Sequence, residues 1–249
     1  METKASRIER VTYLIVPASN GEVSFEYPAQ GTNNYQGVAD AILKRGLQLP
    51  TGNQTASLLH ESYCGNDEFK NSPEAQFIRK DVMKNRWLWV FNRNLWTARD
   101  AKNAGVYVQF DSQGKGNSEI LKQSDLEDAL SGGTTEMGVR FSKDRKTAFA
   151  SYNTVTLETQ KKEDLAKNGF LIASYDIDGA EKLSKVAKAF TFKPYVWGIT
   201  NDTGKPVQVL SALVRFWIEG DRLLVVGNCD GDYTNGFGFG IRAPSEASK

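Results

Sequence analysis

The stretch Asp111-Ser112-Gln113-Gly114-Lys115-Gly116-Asn117-Ser118 places a lysine between two glycines, after an apolar run and before a helical pattern. Glycines let backbone N–H groups approach an anion, an ammonium adds charge, and a helix N-terminus adds its dipole. Asp111, Gly114, Lys115, Gly116 and Asn117 are therefore the candidate anion- or ligand-binding residues. The stretch matches neither Gly-x-x-x-x-Gly-Lys-Ser/Thr nor Gly-x-Gly-x-x-Gly, and a polar surface loop accounts for the same residues.

Between Arg79 and Arg99, the cations Arg79, Lys80, Lys84, Arg86, Arg93 and Arg99 interleave with Trp87, Trp89, Phe91 and Trp96. Aromatic faces stack bases and basic groups track phosphates, so this pattern is one that nucleic-acid platforms use. Yet Trp87, Trp89 and Phe91 alternate with Leu88 and Val90, which makes the segment apolar on both faces and places it inside a covered sheet. Arg93 and Trp96, at the far end of that strand, are the residues expected to face a cleft.

Other groupings carry less. His60, the only histidine, precedes Cys64 by one helical turn, a spacing that suits a shared metal or an activated thiolate. A zinc site needs three or four protein ligands, and Asp67 and Glu68 complete no zinc spacing, so no metal is assigned. Asp67-Glu68-Phe69-Lys70 echoes the carboxylate-plus-lysine sets of metal-dependent nucleases, but it sits in a polar connection before a helix cap. Asn228 to Gly236 alternates oxygen-bearing residues as a calcium loop does. Its glycine is out of register and the bidentate glutamate is missing, so a polar β-turn is the simpler reading. Gly198 to Pro206 has one residue too many between its glycines for a phosphate loop, and Pro206 stands where the metal-binding hydroxyl belongs.

The elements that must position these groups follow from periodicity. Strands are expected over Arg10–Pro17 and Glu22–Tyr27, and helices over Asn34–Arg45 and Gln54–Tyr63, with another begun by Ser72 as N-cap and Pro73 at the first position. Strands follow over Trp87–Leu95 and Gly105–Asp111, then a helix with the capping-box spacing Ser124-x-x-Glu127. Strands at Gly138–Ser142 and Thr147–Val155, a short helix over Gln160–Lys167, a strand over Phe170–Asp176 and a helix opened by Asp178-x-x-Glu181 complete the middle. The last sixty or so residues read as β, at Tyr195–Thr200, Val207–Glu219, Arg222–Asn228 and Phe237–Arg242, with Gly220-Asp221 as the hairpin turn. Helices bunched early and strands bunched late give an α+β fold: a mixed or antiparallel sheet covered by helices, with a C-terminal antiparallel β-meander. The expected organisation is one domain over 1–249, the alternative being subdomains 1–156 and 157–249.

Composition narrows the function classes. With 31 basic and 30 acidic side chains the formal charge is +1, so no overall field steers the chain to nucleic acid or an anionic membrane. The apolar run Val11–Val16 is too short for a signal-peptide core, and Val207–Val226 is interrupted by Arg215 and by Glu219 to Arg222, so a cytoplasmic protein with no membrane partner is expected. Two cysteines make no disulfide framework. With 13 Phe, nine Tyr and five Trp, a binding or interaction protein with an aromatic-rich pocket or face is the leading reading, its partner a small molecule or a protein. A metal- or phosphate-dependent enzyme acting on a nucleotide or nucleic acid, and a subunit of a homo-oligomeric assembly, are the alternatives. No cofactor is named by any motif.

Overall fold

The computed structural model describes residues 12–19, 21–84, 86–200, 204–216 and 220–243. Arg10 and Val11 of the first expected strand, residues 201–203 of the Gly198–Pro206 stretch and the end of the expected Val207–Glu219 strand, residues 217–219, lie outside them. Strands β1 (Thr12–Ala18) and β2 (Gly21–Tyr27) pair antiparallel, and β3 (Gln30–Asn33) leads into α1 (Tyr35–Lys44). Asn34 caps α1 by accepting from Gly37 N at 2.8 Å, and Tyr35, Val38, Ala39 and Ile42 form its buried stripe. Thr51 and Gln54 close a reciprocal capping box on α2 (Gly52–Cys64). Asn66 and Ser72 cap the short α3 (Asp67–Asn71) and α4 (Pro73–Phe77), and α4 runs on into a π turn over Ile78–Val82.

The centre of the molecule is β4 (Trp87–Trp96), buried at every position after Trp87. Next come β5 (Gly105–Phe110), α5 (Gln123–Leu130), β6 (Thr134–Glu136), β7 (Val139–Phe141), β8 (Thr147–Ser151) and β9 (Glu158–Thr159). A 3-10 turn over Lys162–Lys167 leads to α6 (Gly169–Ala187), followed by β10 (Tyr195–Trp197), β11 (Val207–Phe216), β12 (Arg222–Cys229) and β13 (Gly236–Gly238). The fold is α+β, as the distribution of patterns implies. Its main sheet has 11 strands, ordered β6-β7-β8-β5-β4-β11-β12-β10-β9, with β13 pairing both β3 and β4. β11 and β12 form the expected antiparallel pair around Gly220, whose φ of 117° only glycine adopts freely. β10 joins β12 from the far side in parallel, and β13 lies parallel to the start of β4.

Alternation along β4 divides the core. Leu88, Val90 and Trp96 belong to the layer that includes Leu58 and Leu59 of α2 and Phe170 and Leu183 of α6, whereas Trp89 and Phe91 pack with Tyr35, Val38 and Ile42 of α1. This is the two-sided strand that the apolar pattern requires.

Two local expectations are corrected. Phe170–Asp176 is the first half of α6 and not a strand. A short run that is apolar on every side fits a buried helix as well as a buried strand, and Asn168 decides for the helix by accepting from Phe170 N at 3.0 Å. The capping boxes expected at Ser124 and Asp178 do not form. Ser124 bonds Asp125, while Glu127 takes a bidentate Arg140 at 3.0 and 2.9 Å and Asn103 at 2.6 Å. Asp178 accepts from Ser19, Asn53 and Lys182. The break in α6 falls instead at Asp176, with φ 63° and ψ 171°, where Asp176 Oδ1 accepts from Ile177 N at 2.7 Å.

That backbone conformation is nearly confined to glycine, so its strain is testable. Asp176→Gly and Asp176→Ala both lose the carboxylate, but only the alanine variant retains the strained Cβ. Urea unfolding is expected to show the glycine variant more stable by about 1–3 kcal/mol. Equal stabilities would show that the backbone there carries no strain.

Candidate functional site

β4 makes the site through a change of register. Arg93 lies opposite Leu210, yet Val90 lies opposite Ser211, so Phe91 and Asn92 are extra relative to β11. Two inserted residues preserve the alternation of faces while bending the strand. Phe91 O then accepts Asp111 N at 2.8 Å, which seats the chain leaving β5 against the bulge.

The glycine-lysine loop folds around that seat. Asp111 is 2% exposed, and its carboxylate accepts from Lys115 N at 3.0 Å, Gly116 N at 2.7 Å and the Tyr35 hydroxyl at 3.1 Å. The backbone donors that the sequence offers to a phosphate are thus held by the chain's own carboxylate. Burial, and then the Asp111 charge, push the Tyr35 phenol well above its ordinary range, so it stays a donor. Arg93 Nε lies 4.0 Å from Asp111, and the guanidinium also bonds Glu119 at 3.1 Å and Gln109 at 2.5 Å. Gly114 and Gly116 take positive φ values of 62° and 53°. The Lys115 side chain points to solvent. Of the residues singled out from sequence, the structure gathers Arg93, Asp111, Gly114, Lys115, Gly116 and Asn117. It separates Trp96, which is fully buried on the opposite face of β4, donates from Nε1 to Gly227 O at 2.8 Å and packs against Phe170.

This loop is a brace. Asn117 Nδ2 donates to Asp230 O at 2.8 Å, and Gly231 O accepts from Tyr35 N at 3.0 Å. Both bonds fix the turn after β12, the stretch whose composition resembles a calcium loop. In that turn Asp230 Oδ1 accepts from Asp232 N at 3.2 Å. Among the described residues no three His, Cys, Asp or Glu side chains are grouped to hold a metal ion. His60 pairs with the adjacent Glu61 at 2.9 Å, and Lys70 pairs with Asp67 at 2.9 Å along one turn of α3.

What the brace positions is aromatic. Tyr233 stacks on Trp87 with ring centroids 4.6 Å apart and planes inclined by 18°, and Trp87 stacks in turn on Trp89 at 6.1 Å. Trp197, at the end of β10, stands edge-on to Tyr195 at 5.9 Å. Tyr233 is 50% exposed and Trp197 36% exposed, a large apolar area to leave in water. Trp87, Trp197, Val226, Asn228, Asp230 and Tyr233 enclose a groove of about 320 Å³ in which, among the described residues, Asp230 is the only charged lining residue. Trp197 and Tyr233 were not singled out from sequence. The available signal was their placement beside glycine and in a polar turn, where a core role is hard to build.

No family model matches the chain, and no curated protein matches it. A solved structure described as "Accommodation of massive sequence variation in Nanoarchaeota by the C-type lectin fold" aligns over 86% of this chain and 98% of its own, with 10% identity and a TM-score of 0.47. A likeness of that strength assigns neither a family nor a ligand.

Asp111→Ala takes the acceptor from two backbone donors and the buried Tyr35 hydroxyl and removes the carboxylate beside Arg93, and is expected to destabilise the protein by about 3–5 kcal/mol in chemical unfolding. Lys115→Ala is expected to change stability by no more than about 0.5 kcal/mol. Burial pushes the Cys229 thiol up to about 12, and burial with Glu61 nearby raises the exposed Cys64. Iodoacetamide at pH 8 is therefore expected to modify Cys64 more slowly than free cysteine and to leave Cys229 intact until the protein unfolds.

Proposed function

We propose that this protein is a binding module that receives a cationic side chain, arginine or lysine, of a peptide or protein partner in the groove between Trp87, Tyr233 and Trp197. The observation that carries this reading is the pairing of exposed, stacked aromatic faces with a single carboxylate, Asp230, in one groove. Aromatic faces attract cations by about 0.5–2 kcal/mol each, more as water is excluded, and the carboxylate adds a charge-assisted bond. A phosphate or nucleic-acid ligand fits less well, since the lining presents no cation among the described residues and the Lys115 and Gly116 N–H donors of the glycine-lysine loop are occupied by Asp111.

The reading includes a single domain over residues 1–249. In its support, strands from either side of residue 156 join in one sheet. It also includes a cytoplasmic location, for which the two unpaired cysteines give support, and no helix of the described residues is long and apolar enough to cross a membrane.

Calorimetric titration with a short Arg-Gly peptide, alongside the same peptide with citrulline for arginine, tests it. Binding by the arginine peptide alone, weakened at least about tenfold in Trp197→Ala, Tyr233→Ala and Asp230→Asn at unchanged melting temperature, is the expected result. Equal binding of both peptides, or indifference to all three substitutions, contradicts it.

A further inference from the structure

The opposite face of the sheet carries a larger cavity, about 910 Å³, between β2, the N-terminus of α2, the β7–β8 turn, the break in α6 and the segment after β13. That volume lies within the roughly 300–1,000 Å³ typical of small-molecule sites. Its floor is unusually constrained. A Cβ on Gly52 would lie 1.9 Å from Ser174 O and 3.3 Å from Asn92 Nδ2, so α2, α6 and the bulge of β4 meet at one point that only glycine permits. Asn92 Nδ2 donates to Ser174 O at 2.9 Å. Ser174 is 5% exposed, and its hydroxyl has no partner among the described residues. A buried hydroxyl left unpaired costs free energy that a ligand hydrogen bond recovers. Beside it, the backbone N–H groups of Gly52 and Asn53 in the first turn of the 13-residue α2 find no acceptor among the described residues.

The charges around the cavity identify what fits. Its lining holds three charges of each sign, Glu22, Asp144 and Asp176 with Arg145, Lys146 and Arg242. Arg145 is already committed, to Asp176 at 2.9 and 2.7 Å and to Glu136 at 2.8 Å. At the break in α6, Asp176 accepts from Ile177 N, and Asp178 accepts from the Asn53 side chain, so neither carboxylate side chain nor amide side chain there is uncommitted. An anionic ligand would meet those carboxylates, and a cationic one would meet Lys146 and Arg242. The remaining polar lining is neutral, from Ser19, Ser24, Gln48, Thr51, Asn53 and Asn92, over an apolar floor that includes Val108 and Phe141. Neutral groups that both donate and accept, on a ligand with apolar C–H faces, satisfy such a lining.

The geometry points to this cavity as a second binding site, independent of the aromatic groove, for an uncharged polyhydroxylated ligand, a short neutral oligosaccharide. One ligand hydroxyl bonds Ser174 Oγ and the amide N–H groups of Gly52 and Asn53, while the amide side chains of the rim hold the others.

The test is a glycan array of neutral, sialylated and sulfated oligosaccharides probed with the full chain, followed by titration of the best neutral hit. Binding confined to neutral glycans, weakened about tenfold in Ser174→Ala and abolished in Ser24→Trp at the rim, is expected, with Trp197→Ala without effect. The Ser174→Ala variant is expected to melt no lower than the parent, because it removes an unpaired buried hydroxyl. Binding of charged glycans only, no binding to any glycan, or full retention of binding in Ser174→Ala overturns the proposal.

Discussion

Everything in this molecule depends on one strand buried on both faces. β4 cannot lie flat against all its partners, because β11 runs along one edge while β5 and β13 divide the other. The two extra residues at Phe91 and Asn92 resolve that conflict without exchanging the faces, so Trp89, Phe91 and Arg93 stay on the α1 side and Val90 and Asn92 on the α6 side. The bulge then supplies one anchor in each direction. Phe91 O fixes the loop after β5, and the Asn92 amide fixes the break in α6.

From that bulge the two faces diverge in chemistry. On the α1 side a chain of bonds runs from Phe91 through Asp111, Tyr35 and Asn117 to the Asp230 turn, and it ends by presenting Tyr233 against Trp87. On the α6 side, Asn92, Gly52 and Ser174 converge on the floor of a polar cavity. Two non-glycine residues of positive φ line this second face, Asp176 at 63° and Arg145 at 55°, and they are held by the ion pair they form with each other. Strained residues of this kind persist where surrounding contacts over-determine them, and they cluster at ligand sites.

Much of the fold was legible in the sequence for local reasons. Asn34, Thr51 and Ser72 announce helix starts by chemistry that acts within one turn, and the alternation from Trp87 to Phe91 announces a two-faced strand. Phe170–Tyr175 was not legible, because a short apolar run has no period to distinguish buried helix from buried strand, and the deciding contacts come from α2 and the bulge. The glycine-lysine loop was recognisable as a loop built on glycine geometry and backbone donors. That its anion is the chain's own Asp111 depends on a strand register that no local pattern encodes. Trp197 and Tyr233 were hidden for the same reason, since they meet only through parallel pairing of β10 with β12 and a turn held by Asn117.

The most direct test of the account is residue-resolved mapping of the tryptophan indole N–H resonances while an Arg-Gly peptide is added to the labelled protein. The account predicts that the Trp87 and Trp197 signals move together and saturate, while Trp96, buried beneath the sheet with its N–H on Gly227 O, stays in place. Movement of Trp96 with a silent Trp197, or no movement of any indole at saturating peptide, would contradict it.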